Sequence, residues 1–181
     1  DVSFSQGYNP HPKISLPLPR SVGVEGDQEL LRVALNRQTQ AVETMAGLLN
    51  TQLPGGCRVL NIQRCGNKKG CQPLSILYVV SPQKAWRRKQ ASTFLEQHRQ
   101  SIQSAQPYVI TRHAPKHKTG RQVDIGVYFQ SIEWEGENIC IRCRFSPEGT
   151  VRVEEILARL GRERADLAGP VRRTQIEWQM Q

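Results

Sequence analysis

The sequence predicts an α+β fold with mainly antiparallel sheets and with helices on one face. Short segments in which apolar and polar residues alternate are separated by longer segments in which apolar residues recur at helical spacing. Hydrophobic residues make up 38% of the 181 residues, which is enough for a core. Every apolar run is far shorter than the ~20 residues of a membrane span, so we expect no membrane partner.

The first half of the chain is predicted to fold in the order strand, strand, helix, strand. The corresponding residues are 14–18, 29–35, 39–53 and 58–64. The two strands flank a predicted turn at Gly23–Gly26, and the second strand places Leu31, Val33 and Leu35 on one face. The helix has an apolar stripe and ends before Pro54-Gly55-Gly56.

The second half is predicted to fold in the order strand, helix, strand, strand, helix, strand. The corresponding residues are 75–80, 82–103, 123–129, 138–145, 153–160 and 174–180. Ser81 is the expected N-cap of the long helix and Pro82 its first residue. The stripe of that helix expected to face the core consists of Ala91, Phe94, Leu95, His98 and Ile102.

This order of elements predicts two ferredoxin-like (split βαβ) units in tandem. The first unit, residues 1–66, is incomplete at its N-terminus relative to that order. Residues 67–74 form a predicted basic loop or linker, and residues 75–181 form the second unit. Tandem ferredoxin-like units are also typical of Cas6-type RNA-binding proteins, but that likeness concerns the fold and does not define a function.

Positive charge is concentrated in the middle third of the chain, residues 57–122, which we term the basic segment. It contains thirteen Lys or Arg residues and one acidic residue, Glu96, for a net charge of about +12. The flanking segments carry about −1 and −2, and the whole chain carries +9. Such a segment repels itself unless an anion binds it, and nucleic-acid phosphates are the usual partner. The alternative interpretation is a solvated basic face.

RNA contacts are predicted where cations and aromatic rings lie close together in the sequence. Trp86 stands beside Arg87-Arg88-Lys89, and Tyr108 and Tyr128 flank a basic loop. Aromatic rings stack on unpaired bases while cations bind the phosphates. The predicted phosphate-binding residues are Lys68, Lys69, Arg87, Arg88, Lys89, Arg112, Lys116, Lys118 and Arg121.

A second predicted contact surface is the segment Phe4–Lys13, which we term the signature loop. Its glycine and asparagine tolerate unusual backbone angles, and its two prolines stiffen the chain and remove N–H donors. The loop is therefore expected to present Tyr8, His11 and Lys13 to a partner.

The stretch FSQGYNPHPKISLPLP (Phe4–Pro19), followed by Val22-Gly23-Val24-Glu25, resembles the signature of a bacterial family of uncharacterised domains linked to radical SAM proteins. Members occur fused to, or encoded beside, cobalamin-binding radical SAM proteins, and they carry a strand and a helix before this motif. The resemblance implies a radical SAM protein as partner, in trans or in a fused parent. It also implies that an N-terminal strand–helix pair is missing here. Weaker similarity continues through Leu53–Leu60, Gly120–Ile125 and Gly149–Val153.

The five cysteines are predicted to be reduced thiols in the cytoplasm, because their number is odd, their spacing irregular and no signal peptide is present. Cys140 and Cys143 form a CxxC, but residues i and i+3 of a strand point to opposite faces, so we expect buried thiols rather than a metal site. The CxxxCxxC motif that binds the radical SAM cluster is absent. We therefore expect no cofactor in this chain.

The leading hypothesis is a non-enzymatic module that binds RNA, such as ribosomal or transfer RNA, and presents it to a radical SAM modification enzyme. One alternative is a metal-independent, Cas6-like endoribonuclease, in which a histidine transfers the proton and cations stabilise the transition state. Its candidate catalytic residues are His11, Lys13, His113 and His117. The other alternative is a protein-interaction subunit of a radical SAM enzyme, with the basic segment facing acidic protein surface.

Overall fold

The computed structural model describes the backbone of residues 1–36, 42–65, 71–113 and 120–180, and the side chains of these residues except 43, 85–92 and 180. Within these ranges the chain forms three α-helices and mostly antiparallel strand pairs, so the α+β prediction is confirmed. None of the described helices combines the length and the apolar character needed to span a lipid bilayer.

The secondary-structure elements divide between two compact units. In chain order the elements are β1 (Ile14–Ser15), β2 (Val24–Gly26), β3 (Arg32–Val33), α1 (Val42–Asn50), β4 (Cys71–Val80), α2 (Lys84–Gln103), β5 (Val109–Arg112), β6 (Arg121–Asp124), β7 (Phe129–Glu135), β8 (Asn138–Arg144), α3 (Val153–Arg159) and β9 (Val171–Met180). The first unit comprises Asp1–Pro17, Leu31–Gly70 and Met180–Gln181. The second comprises Leu18–Leu30 and Cys71–Gln179. The predicted linker lies partly outside the described residues, and the predicted domain boundaries stay predictions.

The second unit is built on a five-stranded sheet in the order β2-β9-β4-β8-β7. Strand β8 pairs antiparallel with both β4 and β7, and β2 pairs parallel with β9. Apart from β2 and the β5–β6 hairpin, the elements follow the order strand, helix, strand, strand, helix, strand. The fully buried aliphatic side chains that form the core are Ile76, Val80, Ile125, Ile132, Ile139, Ile141, Val151, Ile156, Leu160 and Val171.

In the first unit, β1 and β3 form a short antiparallel pair that places Ile14 opposite Val33. An isolated bridge between Val2 and Leu35 continues the pairing. Because side chains alternate along a strand, and opposed residues share a face, these four apolar residues lie on one face of the pair. The tandem repetition of a ferredoxin-like unit in this chain stays a prediction.

The strand predicted over residues 58–64 is wrong. All of these residues are described, and they form no strand. The side chain of Asn50 takes the place of a neighbouring strand: its Oδ1 accepts a hydrogen bond from Val59 N (2.7 Å), and its Nδ2 donates to Val59 O (3.1 Å). Both backbone groups of Val59 are therefore satisfied without a β-ladder.

Other elements of the first half are shorter than predicted. The strands predicted over 14–18 and 29–35 shorten to β1 and β3. Pro17 and Pro19 have no N–H to donate to a ladder, which limits β1. The helix predicted over 39–53 is described as α1, and residues 37–41 lie outside the described ranges.

The turn predicted at Gly23–Gly26 is replaced by β2, which pairs with β9. Buried Arg173 of β9 fixes this segment, because its Nε donates to Glu29 Oε1 (2.8 Å) and its Nη2 donates to Glu29 Oε2 and to Leu18 O (3.1 Å). A Cβ atom at Gly26 would collide with the Glu29 carboxylate. Glycine at this position therefore permits the ion pair that joins residues 18–30 to the sheet.

The strand predicted over residues 123–129 is wrong in its second half. Strand β6 ends at Asp124, a 3₁₀ turn follows at Gly126–Tyr128, and β7 begins at Phe129. Asp124 Oδ1 accepts hydrogen bonds from Tyr108 N and Gly126 N, both at 2.8 Å, and these bonds turn the chain. Strand β5 and most of β7 are absent from the prediction.

The long helix begins two residues later than predicted, with Gln83 as its N-cap and Lys84 as its first residue. The Ser81 hydroxyl does not cap it but donates to Asn138 Oδ1 (2.6 Å), and Pro82 forms a bridge with Leu167. The strands predicted over 75–80, 138–145 and 174–180 and the helix predicted over 153–160 are confirmed as β4, β8, β9 and α3.

Candidate nucleic-acid interface

The signature loop is closed by hydrogen bonds at its base. Ser5 N donates to His11 O (2.8 Å), and His11 N donates back to Ser5 Oγ (2.9 Å). Gly7, inside the loop, has a φ of +135°, a backbone conformation that residues other than glycine rarely adopt. The side chains of Tyr8, His11 and Lys13 are exposed. The segment Ser5–His11 therefore presents an aromatic ring and an imidazole to solvent, and the ammonium group of Lys13 is exposed just after it.

Helix α2 begins with a dense group of cations. Lys84 is its first residue, and Arg87, Arg88 and Lys89 follow within the first two turns, although the side chains of these three are not described. No acidic residue lies in the first turn. The positive end of the helix dipole adds to the charge of Lys84 in the first turn, and the neighbouring cations repel one another. Gln83, the N-cap residue, makes no side-chain capping hydrogen bond; its amide nitrogen donates to Ala165 O (2.9 Å) and Leu167 O (3.4 Å).

The β5–β6 hairpin of the second unit has two chemically different faces. The antiparallel register pairs Ile110 with Val123 and Arg112 with Arg121. Ile110 and Val123 pack against the core, so this is the inner face. The predicted phosphate-binding residues Arg112 and Arg121 are thus cross-strand neighbours, and the side chain of Arg121 is exposed.

Arg112 is engaged inside the second unit. Its Nε donates to Glu155 Oε1 and its Nη2 to Glu155 Oε2, both at 2.7 Å, and Nη2 also reaches Thr150 O at 2.7 Å. The hydrogen bonds to Glu155 raise the pKa of Arg112. Glu155 Oε2 also accepts from Arg152 N (2.8 Å) at the start of α3. Because these contacts occupy most of its donors, we do not include Arg112 in the proposed RNA interface.

Five of the predicted contact or catalytic residues lie outside the described residues. They are Lys68, Lys69, Lys116, His117 and Lys118. His113 is described and exposed, at the end of β5. The structure thus places His113 and Arg121 on one hairpin and the basic start of α2 in the same unit. Tyr8, His11 and Lys13 belong to the first unit.

Sequence reasoning missed a buried cation in α3. Arg159 is buried, its guanidinium carbon lies 4.9 Å from the Tyr108 ring centre and 4.7 Å from that of Phe129, and its Nη2 donates to Ser101 Oγ (2.5 Å). Burial lowers its pKa. The pKa of His98 is lowered mainly by burial and further by the positive charge of Arg159. The spacing of Arg159 relative to the apolar stripe of α3 is the signal that could have found it.

The aromatic residues beside the basic segment are used mainly in packing. Tyr128 is buried in the core, and Tyr108 packs against it below Arg159. The ring of Tyr128 is therefore unavailable for base stacking, whereas Tyr108 is partly exposed. The ring of Tyr8 is fully exposed. The side chain of Trp86 is not described.

The cysteine geometry agrees with the strand prediction. Cys143 lies opposite Ile76 in the core, and Cys140 lies opposite Val79 on the other face of β8. All five cysteines are described and none forms a disulfide; Cys57 and Cys65 are exposed. Among the described residues, no group of three or more His, Cys, Asp or Glu side chains is arranged to bind a metal ion.

The chain is similar to a bacterial family described as "uncharacterized protein conserved in bacteria (DUF2344)". The model of that family matches residues 1–163. The chain belongs to this family. No curated protein and no solved structure matches the chain.

Proposed function

We propose that this protein is a non-enzymatic RNA-binding module that presents RNA to a radical SAM modification enzyme. The observation that carries the proposal is the net charge of about +12 in residues 57–122, against weakly negative flanking segments. A phosphate backbone is the partner that best neutralises charge of this density.

The structure supports the proposal by the placement of part of this charge. Lys84 and Arg121 are exposed, and the backbone of α2 places Arg87, Arg88 and Lys89 within its first two turns, close to Lys84. These groups would bind phosphates of one RNA. Lys68, Lys69, Lys116 and Lys118 belong to the same basic segment and stay part of the proposal.

The signature loop is proposed as a separate contact. Tyr8 offers an exposed ring for stacking, and His11 and Lys13 offer donors for phosphate or base edges. This loop contacts either the RNA or the radical SAM protein. The radical SAM partner itself rests on the resemblance of Phe4–Pro19, in trans or in a fused parent.

The strand order of the second unit is a further argument for RNA binding. Its strands β4, β7, β8 and β9, counted one to four, stand in the sheet order four, one, three, two, and two helices connect them. We propose that this is a ferredoxin-like unit, an architecture that RNA-binding modules use. The fold alone does not define the function.

The proposal is tested by ultraviolet crosslinking in cells followed by sequencing of the attached RNA. We expect enrichment of one stem or loop, with crosslinked peptides from α2, β6 or the signature loop. The matched control is a variant with Arg87, Arg88 and Lys89 replaced by Gln, which should lose the enrichment. Recovery of the same RNA profile with both proteins would contradict the proposal.

The exposed apolar face of the first unit favours a second candidate, a protein-interaction subunit of a radical SAM enzyme. Ile14, Val33 and Leu35 share this face and are 50%, 41% and 41% exposed. Contiguous exposed apolar residues mark protein contacts more often than nucleic-acid contacts. In this case the apolar face, rather than the basic segment, would carry the binding energy.

A pull-down with the radical SAM protein in high salt and RNase tests this second candidate. Ile14→Lys with Val33→Lys should abolish capture while RNA binding is retained. Leu48→Lys is the matched control, because Leu48 is an equally apolar residue of α1 that is 68% exposed. Capture that depends on RNA would reject the candidate.

A further inference from the structure

The outer face of the β5–β6 hairpin carries polar groups that the proposed phosphate contacts do not use. The register opposes Thr111 and Gln122, and His113 and Gly120 lie close to each other just beyond the last pair of the register, Arg112 and Arg121. The side chains of Thr111, Gln122 and His113 are exposed. These residues alternate with Ile110 and Val123, which pack against the core, so they face away from it.

Gly120 lies close to the imidazole of His113. A Cβ atom built on Gly120 would stand 3.0 Å from His113 Cε1 and 3.2 Å from Nδ1, and it would overlap Thr111 Cγ2. The absence of a side chain at position 120 thus lets the His113 ring approach the backbone of Gly120. The His113 side chain is exposed in this position.

We propose that this outer face, His113 with Thr111 and Gln122, binds an unpaired nucleotide of the RNA. The proposal rests on the proposed RNA-binding function and names the part of the RNA that is recognised. The exposed imidazole stacks on the base. The Gln122 amide and the Thr111 hydroxyl lie two residues along the strands on the same face and supply hydrogen bonds to the base edge.

The positive charge of the surrounding segment and the exposure of the His113 ring favour single-stranded RNA as the ligand of this face. The hairpin lies within the basic segment, whose cations bind phosphates in the proposed function. A duplex keeps its bases stacked and its edges paired, so it offers no free base face to His113. Unpaired RNA offers a free base face to the His113 ring and phosphates to the cations of the basic segment.

The experiment compares the binding of the full chain to a short oligoadenylate and to an RNA duplex of equal length, by fluorescence anisotropy. Stacking of one base on an aromatic side chain is worth enough that His113→Ala should weaken oligoadenylate binding about ten-fold. Duplex binding should change by less than about two-fold, because phosphate contacts are retained. His113→Phe should retain the affinity for oligoadenylate, because it keeps a flat ring.

Two further variants make the result specific. Val109→Ala is the matched control, because Val109 is exposed on the same outer face at the far end of β5. Gly120→Ala should displace the ring and reproduce the loss caused by His113→Ala, and the double variant should show no additional loss. Circular dichroism and thermal melting establish that each variant is folded.

The outcomes separate this inference from the proposed function. Salt-sensitive RNA binding that His113→Ala leaves unchanged would overturn the hairpin inference alone. An equal loss of oligoadenylate affinity in His113→Ala and His113→Phe would also overturn it. Such a result would mean that His113 acts through proton transfer or hydrogen bonding rather than through stacking. Wild-type protein that binds neither RNA would overturn the proposed function and this inference together.

Discussion

Arg112 and Glu155 form a bidentate ion pair that joins β5 to α3, with both N–O distances at 2.7 Å. The side chains of the pair are 18% and 10% exposed. Glu155 also accepts a hydrogen bond from Arg152 N at the start of α3, so one carboxylate stabilises both the hairpin contact and the helix start. The pair shows that a cation of the basic segment has a structural role.

Replacing Arg112 by Ala is expected to destabilise the protein by about 3 kcal/mol, because it leaves the Glu155 carboxylate mostly buried without its partner. The measurement is the free energy of unfolding in urea. Arg121→Ala is the control: Arg121 lies opposite Arg112 in the hairpin but is exposed, so its loss should change stability by less than about 0.5 kcal/mol. Equal stability of the two variants would contradict the assigned role.

Stability is expected to fall as pH rises above about 9. Burial raises the pKa of Cys140 to about 11 and that of Tyr78 to about 12. The unfolded chain releases these protons at lower pH than the folded chain, so it binds fewer protons and is favoured as pH rises. The contribution is complete below the unfolded values of 9.0 and 10.0 and is lost toward the folded values.

Urea titrations at a series of alkaline pH values measure this loss. Cys140→Ala should reduce the slope that begins near pH 9, and Tyr78→Phe should reduce the slope that begins near pH 10. Slopes that neither variant alters would show that other groups dominate alkaline unfolding.

The signature loop is expected to contribute to binding and little to stability. Tyr8 and His11 are exposed, and the loop is closed by backbone groups and Ser5 rather than by these side chains. A Tyr8→Ala, His11→Ala double variant should therefore melt within a few degrees of the wild type while losing RNA affinity or partner-dependent activity. A drop of many degrees with binding retained would make the loop structural.

The fold could be predicted where local pattern and tertiary environment agree. The alternation of Ile139, Ile141 and Cys143 gave β8, and Leu95 marked the buried side of α2. The alternation of apolar residues led to a wrong prediction where a side chain, rather than a neighbouring strand, forms hydrogen bonds with the backbone. Asn50 satisfies Val59 and removes a predicted strand, and a single sequence contains no local sign of that contact.

The candidate site, like the fold, could be predicted from the sequence only in part. The exposure of the signature loop follows from its glycine, asparagine and prolines, and the sequence predicted it. The internal use of Arg112 did not follow, because its partner Glu155 is 43 residues away and only the folded hairpin brings them together. The reason for a glycine at position 120 is likewise visible only in the folded hairpin, where the His113 ring lies close to it.

The most direct test of the central claim is the salt dependence of RNA affinity. Each phosphate neutralised contributes about −0.7 to −0.9 to the slope of log K against log salt concentration. Replacing Arg87, Arg88 and Lys89 by Gln should weaken binding and make this slope shallower by about two units. Replacing Arg20, Arg142 and Arg144, three cations outside the basic segment, should leave it unchanged. Identical slopes for the wild type and both variants would show that the basic segment does not bind nucleic acid.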